Sequence, residues 1–106
     1  MSILSLLGKK GTVDILKLLD SGIDSFSKLK ENLDNNGLTM STRTLSQRLS
    51  ELEEEYLIEK VNGKYYLTPK GKEALKIIND IIKWEKEWEE IILNKILINI
   101  LRDKDN

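Results

Sequence analysis

The chain has 106 residues, with 17 Lys and Arg against 18 Asp and Glu, for a formal net charge of −1. That length holds one domain with a modest core, and 40 % apolar with 33 % charged residues is the composition of a globular chain, not a disordered one. With neither Cys nor His, disulfide frameworks, zinc sites built on thiolate or imidazole, and nucleophilic catalysis by Cys–His or Ser–His pairs are all excluded.

No cofactor or metal is implied, and no pair of carboxylates or lysines has a reason to be poised for chemistry, so an enzyme is not expected. The basic excess usual in nucleic-acid binders is absent, so any such binding has to come from a local patch. "MSILSLLGKK" carries its charge on the wrong side of its apolar patch for a signal peptide. No apolar run approaches the roughly 18 residues of a membrane span, and a cytoplasmic protein is expected.

In chain order, a short helix is expected in "SILSLLG", with Gly8 as its stop. In "GTVDILKLLDSG", Val13, Ile15, Leu16, Leu18 and Leu19 fall at helical spacings, with Thr12 as cap and Gly22 as terminator. A second long helix follows in "DSFSKLKENLDNNG". Ser25 or Asp24 caps it, Phe26, Leu29 and Leu33 share one face, and "NNG" breaks it. The third runs over about 41–55, capped by Ser41, with Leu45, Leu49 and Leu52 at i, i+4 and i+7.

The period then changes in "LIEKVNGKYYLT". Asn62-Gly63 between two β-prone runs signals a hairpin over 57–68 with a type I′ turn. That turn sets Val61 opposite Lys64, Glu59 opposite Tyr66 and Ile58 opposite Leu67. Thr68 and Pro69 restart a helix, Pro at the first helical position where its missing N–H costs nothing, and from there to about Leu101 no further proline follows, and only Gly71 near the start.

Three helices, a tight hairpin and a further helix is the order of a winged helix-turn-helix: a mainly α fold with a small β-hairpin (α+β) and a long C-terminal helix. One domain over 1–106 is expected, with the helix-turn-helix and wing over about 9–68 and a C-terminal helical dimerisation region over about 69–101. "LLGKKGTVDILKLL", "SFSKLKENL", "STRTLSQRLSELEEEYLIEK" and "YYLTPKGKEALKIINDIIKWEKEW" resemble successive segments of the HxlR-type transcriptional regulators, over about residues 4–90. The MarR and PadR winged-helix groups are more loosely similar.

The resemblance implies a dimeric transcription factor that binds double-stranded DNA. Three departures stand out. Leu33 to Ser41 is a longer connection than usual. Tyr56 stands where a glycine commonly ends the third helix, so a different ending is expected there. With no cysteine, sensing through a thiol is excluded.

At about 100° per residue, Arg43, Gln47, Ser50 and Glu54 lie opposite the leucine stripe of the third helix, flanked by Thr42, Thr44, Ser46 and Arg48. Arginine can bond guanine bidentately and glutamine adenine, and hydroxyls reach bases or phosphates. The N-terminal part of a recognition helix makes most base contacts. The base-reading candidates are therefore Thr42, Arg43, Thr44 and Gln47. The phosphate candidates are Ser41, Ser46, Lys28 and Lys30, with Lys60, Asn62 and Lys64 on the wing. Lys9 and Lys10 are weaker ones. Arg48 has two readings of equal weight, a phosphate contact and a pair with an acid of its own domain. The wing lysines also have a plain role in protecting strand edges, and Tyr65 and Tyr66 read as packing residues.

On the last helix, Ile77, Ile81, Trp84, Trp88 and Ile91 form a heptad-like seam. Ile92, Ile96, Leu97 and Ile100 add apolar surface that a domain this small has little core to cover. These nine residues are the candidates for a symmetric homodimer interface. No small-molecule effector is identified. The reading favoured is a sequence-specific, homodimeric transcriptional regulator. The alternative is a winged-helix adaptor that binds protein, which the neutral charge and apolar tail favour.

Overall fold

The computed structural model describes residues 2–104. The elements are α1 (Ile3–Leu7), α2 (Thr12–Asp20), α3 (Phe26–Asn35), α4 (Thr42–Glu54), β1 (Ile58–Val61), β2 (Lys64–Leu67) and α5 (Pro69–Lys104). The chain divides into two compact units, residues 1–76 and 77–106. The first holds the helix-turn-helix and the hairpin. The second is the remainder of α5, an unbroken helix in which the seam residues Ile77, Ile81, Trp84, Trp88 and Ile91, together with Ile92, Ile96, Leu97 and Ile100, are all exposed.

The core of the first unit is built almost wholly from leucine and isoleucine. Leu6 comes from α1, Ile15, Leu16 and Leu19 from α2, and Leu29 and Leu33 from α3. Leu45, Leu49 and Leu52 come from α4, Leu57 and Ile58 from the entry to β1, and Leu75 from the start of α5. Burying each such side chain contributes about 1.5–3 kcal/mol, which explains why the i, i+4, i+7 stripe of α4 faces inward. Phe26, expected on the same face as Leu29 and Leu33, is only half-buried. Thr12 does not cap α2 as expected. Gly11 occupies the cap position, and Thr12 is the first helical residue, with its hydroxyl fully buried and without a partner among the described residues.

The hairpin pairs as its turn dictates: Ile58 with Leu67, Glu59 with Tyr66, Lys60 with Tyr65 and Val61 with Lys64. Asn62 and Gly63 both have positive φ, at 51° and 79°, as a type I′ turn requires. Tyr65 is buried and Tyr66 faces outward, the alternation a two-faced strand imposes. The Tyr65 amide also donates to the Asp24 carbonyl at 2.8 Å. The loop between α2 and α3 thereby lies along the free edge of β2 and ties the wing to the helices.

α2, α3 and α4 all end in the same way. In α2 and α3 a glycine in the left-handed conformation (Gly22, φ 96°; Gly37, φ 76°) follows the last turn, and the next residue's amide returns to a carbonyl five residues back. α4 makes the same motif with Tyr56, at φ 58°: its amide donates to Glu53, and the Leu57 amide donates to Leu52 at 3.0 Å. The expectation of a different ending is therefore corrected. Tyr56 accepts the strained conformation because the following segment fixes the helix end. The Thr68 hydroxyl donates to the Tyr56 carbonyl, Lys70 Nζ donates to the Glu55 carbonyl at 2.7 Å, and the Thr68 amide donates to the Leu57 carbonyl at 3.1 Å.

Gly71 completes this junction. A Cβ there would collide with the Leu57 carbonyl oxygen, a backbone atom that cannot swing aside. Tyr56→Gly relieves left-handed strain, partly offset by a more flexible unfolded chain, and should raise the unfolding free energy by about 0.5–1 kcal/mol. Gly71→Ala should lower it by about 2–4 kcal/mol. Urea unfolding followed by circular dichroism measures both.

Candidate nucleic-acid interface

α4 is capped at its start and tied to the rest of the first unit at its middle and its end. At its start, Ser41 Oγ accepts from the Thr44 amide at 3.0 Å and donates to Thr44 Oγ1 at 2.9 Å. At its end stands the Tyr56–Thr68 junction. Between them lies Glu51, whose side chain is 11 % exposed. Lys9 Nζ, from the segment between α1 and α2, donates to Glu51 Oε2 at 2.8 Å, and Arg48 Nη1 donates to Oε1 at 3.2 Å. The Lys9 hydrogen bond and the two nearby cations hold the Glu51 carboxyl below its usual range, against the opposing effect of burial.

Arg48 belongs to this internal cluster. Its side chain is 12 % exposed and its guanidinium is engaged with Glu51, while its Nε is buried with no partner among the described residues. Of its two readings, the internal pair is the one observed. Lys9 is likewise committed to Glu51. The i, i+3 spacing of Arg48 and Glu51 is visible in the sequence. The bond from Lys9, 42 residues away, has no sequence signature.

The outward face of α4 presents Thr42, Arg43, Ser46, Gln47, Ser50 and Glu54, all exposed, opposite buried Leu45, Leu49 and Leu52. Arg43 makes no ion pair among the described residues. Thr44 is half-buried, with its amide and hydroxyl both in the Ser41 cap. Glu54 is the last residue of the helix, about 16 Å along the axis from Arg43 at 1.5 Å per residue. The acidic end of α4 is thus well separated from the face offered by its first two turns.

The basic residues around this face differ in how free they are. Lys28 is exposed and unpaired among the described residues. Lys30 binds both carboxylate oxygens of Asp34, at 3.0 and 2.8 Å. On the wing, Lys60 Nζ lies 5.4 Å from the centre of the Tyr65 ring, a cation–π contact. Lys64 Nζ stands 3.8 Å from Asp24 Oδ2 in an exposed, loose pair, and Asn62 is at the exposed tip. Lys30 would have to leave Asp34 to meet another anion, whereas Lys28 and Arg43 need give up nothing.

Glu51→Gln should cost about 1–3 kcal/mol of stability, because it leaves Arg48 buried without its counter-charge. The sign of the pH effect follows from the lowered pKa. The carboxylate's contribution is complete above the unfolded pKa, near 4.5, and is lost as pH falls through the lower folded value. Denaturation midpoints measured from pH 7 down to pH 3 should therefore fall more steeply for the wild type than for Glu51→Gln.

Comparison with known proteins places this arrangement. The HxlR-like helix-turn-helix family matches residues 6–93. A helix-turn-helix transcriptional regulator of Methanocaldococcus jannaschii, MJ0925, is 52 % identical over 105 residues, covering 99 % of each chain. Among solved structures, the quinone-bound form of YodB from Bacillus subtilis superposes with a TM-score of 0.70 at 28 % identity, covering 79 % of this chain and 91 % of that one. A possible HxlR family transcriptional factor from Thermoplasma volcanium gives 0.68 at 26 % identity, covering 85 % and 84 %. No helix among the described residues is long and apolar enough to cross a membrane. The capped and internally braced α4, the hairpin after it and the match over most of the chain make this protein a member of the HxlR-like helix-turn-helix family of transcriptional regulators.

Proposed function

We propose that the protein is a sequence-specific regulator that binds double-stranded DNA as a homodimer, with the first two turns of α4 in the major groove and the β1–β2 hairpin as a wing on neighbouring phosphates. The observation that carries this reading is the outward face of α4. It offers an arginine unpaired among the described residues, a glutamine and hydroxyls on a helix that is capped at its start and tied to neighbouring segments at its middle and end.

Arg43 and Gln47 are the base readers, one turn apart, with Thr42 beside them. Ser46 reaches phosphate. Ser41 and Thr44, already engaged in the cap, contribute mainly through the helix N-terminus, where backbone N–H groups favour an anion. Lys28, on the helix that crosses the backbone in this fold, is the principal phosphate contact. Lys64, Lys60 and Asn62 serve the wing. Lys30 joins them only by leaving Asp34, and Arg48 supports the helix from within. The exposed apolar residues of α5 from Ile77 to Ile100 form the homodimer contact.

Arg43→Ala should weaken binding to the preferred DNA sequence by about 1–3 kcal/mol and relax the choice at one base pair. Lys64→Ala should weaken binding to all sequences alike and reduce the slope of log affinity against log salt by about one. Fluorescence-anisotropy titrations with preferred and scrambled duplexes, at about 50 and 200 mM salt, measure both. An unchanged affinity and selectivity for Arg43→Ala would remove it from the reading surface. Salt-insensitive binding would favour a protein partner over DNA.

A further inference from the structure

Most cations of the candidate interface are already paired with carboxylates of the first unit. Lys9 and Arg48 are held by Glu51, Lys30 by Asp34 and Lys64 by Asp24. Glu51 is buried and braces α4. Asp34 has no such role. Its side chain is 39 % exposed, so its pair with Lys30 adds little to stability. Its position also runs against two local rules. It stands in the last turn of α3, at the negative end of the helix dipole, where a cation is preferred to an acid. In the pair, Lys30 precedes the acid by four residues, the weaker of the two orders on a helix. Helix stability therefore gives no reason for an acid at this position, and departures from local rules are expected at functional sites. What Asp34 does is occupy Lys30, whose ammonium donates to both carboxylate oxygens, at 3.0 and 2.8 Å.

We propose that Asp34, and more weakly Asp24, hold down the attraction of this protein to DNA of any sequence by competing with phosphate for Lys30 and Lys64. Phosphate contacts supply essentially all of non-specific binding and carry no direct sequence information. A lysine that must first leave a carboxylate gains less from a phosphate than a free one does. Asp24 withholds less than Asp34, because Lys64 Nζ stands 3.8 Å from its carboxylate on a side chain that is 57 % exposed. Arg43 and Lys28, unpaired among the described residues, keep their full attraction. The two acids thus lower the background of sequence-independent binding, against which any preferred site competes, and leave Arg43 free to read bases.

This inference rests on the reading of this face as a DNA-binding surface, and one set of titrations separates the two. Fluorescence anisotropy of a labelled duplex of random sequence, with the full chain at about 50 and 200 mM salt, gives affinity and salt slope. Asp34→Asn should tighten binding roughly twofold to fivefold, the range that one exposed ion pair withholds. It should also steepen the slope of log affinity against log salt by about one, because Lys30 now neutralises a phosphate. Asp24→Asn should give a smaller gain in the same direction. The thermal midpoint of Asp34→Asn should stay level or rise slightly, since an acid leaves the end of α3. Two further variants isolate the cause. Glu31→Gln makes the same change in net charge on the same helix, but Glu31 has no ion pair among the described residues, so no lysine is released. It should leave affinity nearly unchanged. In a Lys30→Ala background, Asp34→Asn should lose most of its gain. Wild-type binding that Asp34→Asn leaves unaltered, an equal gain from Glu31→Gln, or a full gain without Lys30 would each overturn the inference while leaving DNA binding standing. A wild type and variants that bind no duplex at the lower salt would overturn both.

Discussion

The orientation of α4 depends on one buried carboxylate. Glu51 sits on the inward side of the helix, where burial alone would favour its neutral form. It stays ionised because Lys9 and Arg48 each satisfy one of its oxygens. The arrangement engages an arginine whose residue type also suits phosphate contact, and a lysine 42 residues away in the chain. In return it links α4 to the segment between α1 and α2. The leucine stripe fixes which face of α4 is buried. Directional ion pairs add resistance to rotation about the axis and sliding along it, which apolar packing alone resists less. The proposed presentation of Arg43 and Gln47 in a fixed frame draws on both.

The second constraint lies at the C-terminal end of the same helix. Three successive carbonyls, of Glu55, Tyr56 and Leu57, accept donors from Lys70 and Thr68. The hairpin leaves from Leu57 and returns at Thr68, so these bonds close its base and couple the wing to the end of α4. Asp24 adds a third tie, through the backbone bond to Tyr65. Helix and wing are thus set relative to each other by hydrogen bonds that converge on two short segments. The left-handed Tyr56 is tolerated because those bonds outweigh its strain.

Much of this was legible in the sequence because it follows from local rules. Asn62-Gly63 determined the hairpin turn and its register. Ser41 and Ser25 marked the starts of α4 and α3, and the leucine spacings marked their buried faces. The HxlR resemblance came from segments that span most of the family match. What was not legible depends on contacts between distant residues. The Lys9–Glu51 bond joins residues 42 apart, and nothing near Lys9 distinguishes it from a surface lysine. Thr12 is of a type that caps helices, but the cap position falls one residue earlier, at Gly11. Tyr56 departs from its own backbone preference because bonds from Thr68 and Lys70, distant in sequence, override it. On the outward face of α4, the sequence identifies which side chains are exposed. It did not show that Lys30 is held by Asp34 or that Thr44 is held by the Ser41 cap.

The central claim is that the first two turns of α4 select a DNA sequence, and that two copies do so together. In vitro selection of bound duplexes from a random library, with the full-length chain, tests it most directly. The account predicts enrichment of an inverted repeat whose half-sites lie about one helical turn apart, or a multiple of it, as a two-fold symmetric pair of recognition helices requires. A library that emerges without any enriched sequence would contradict it.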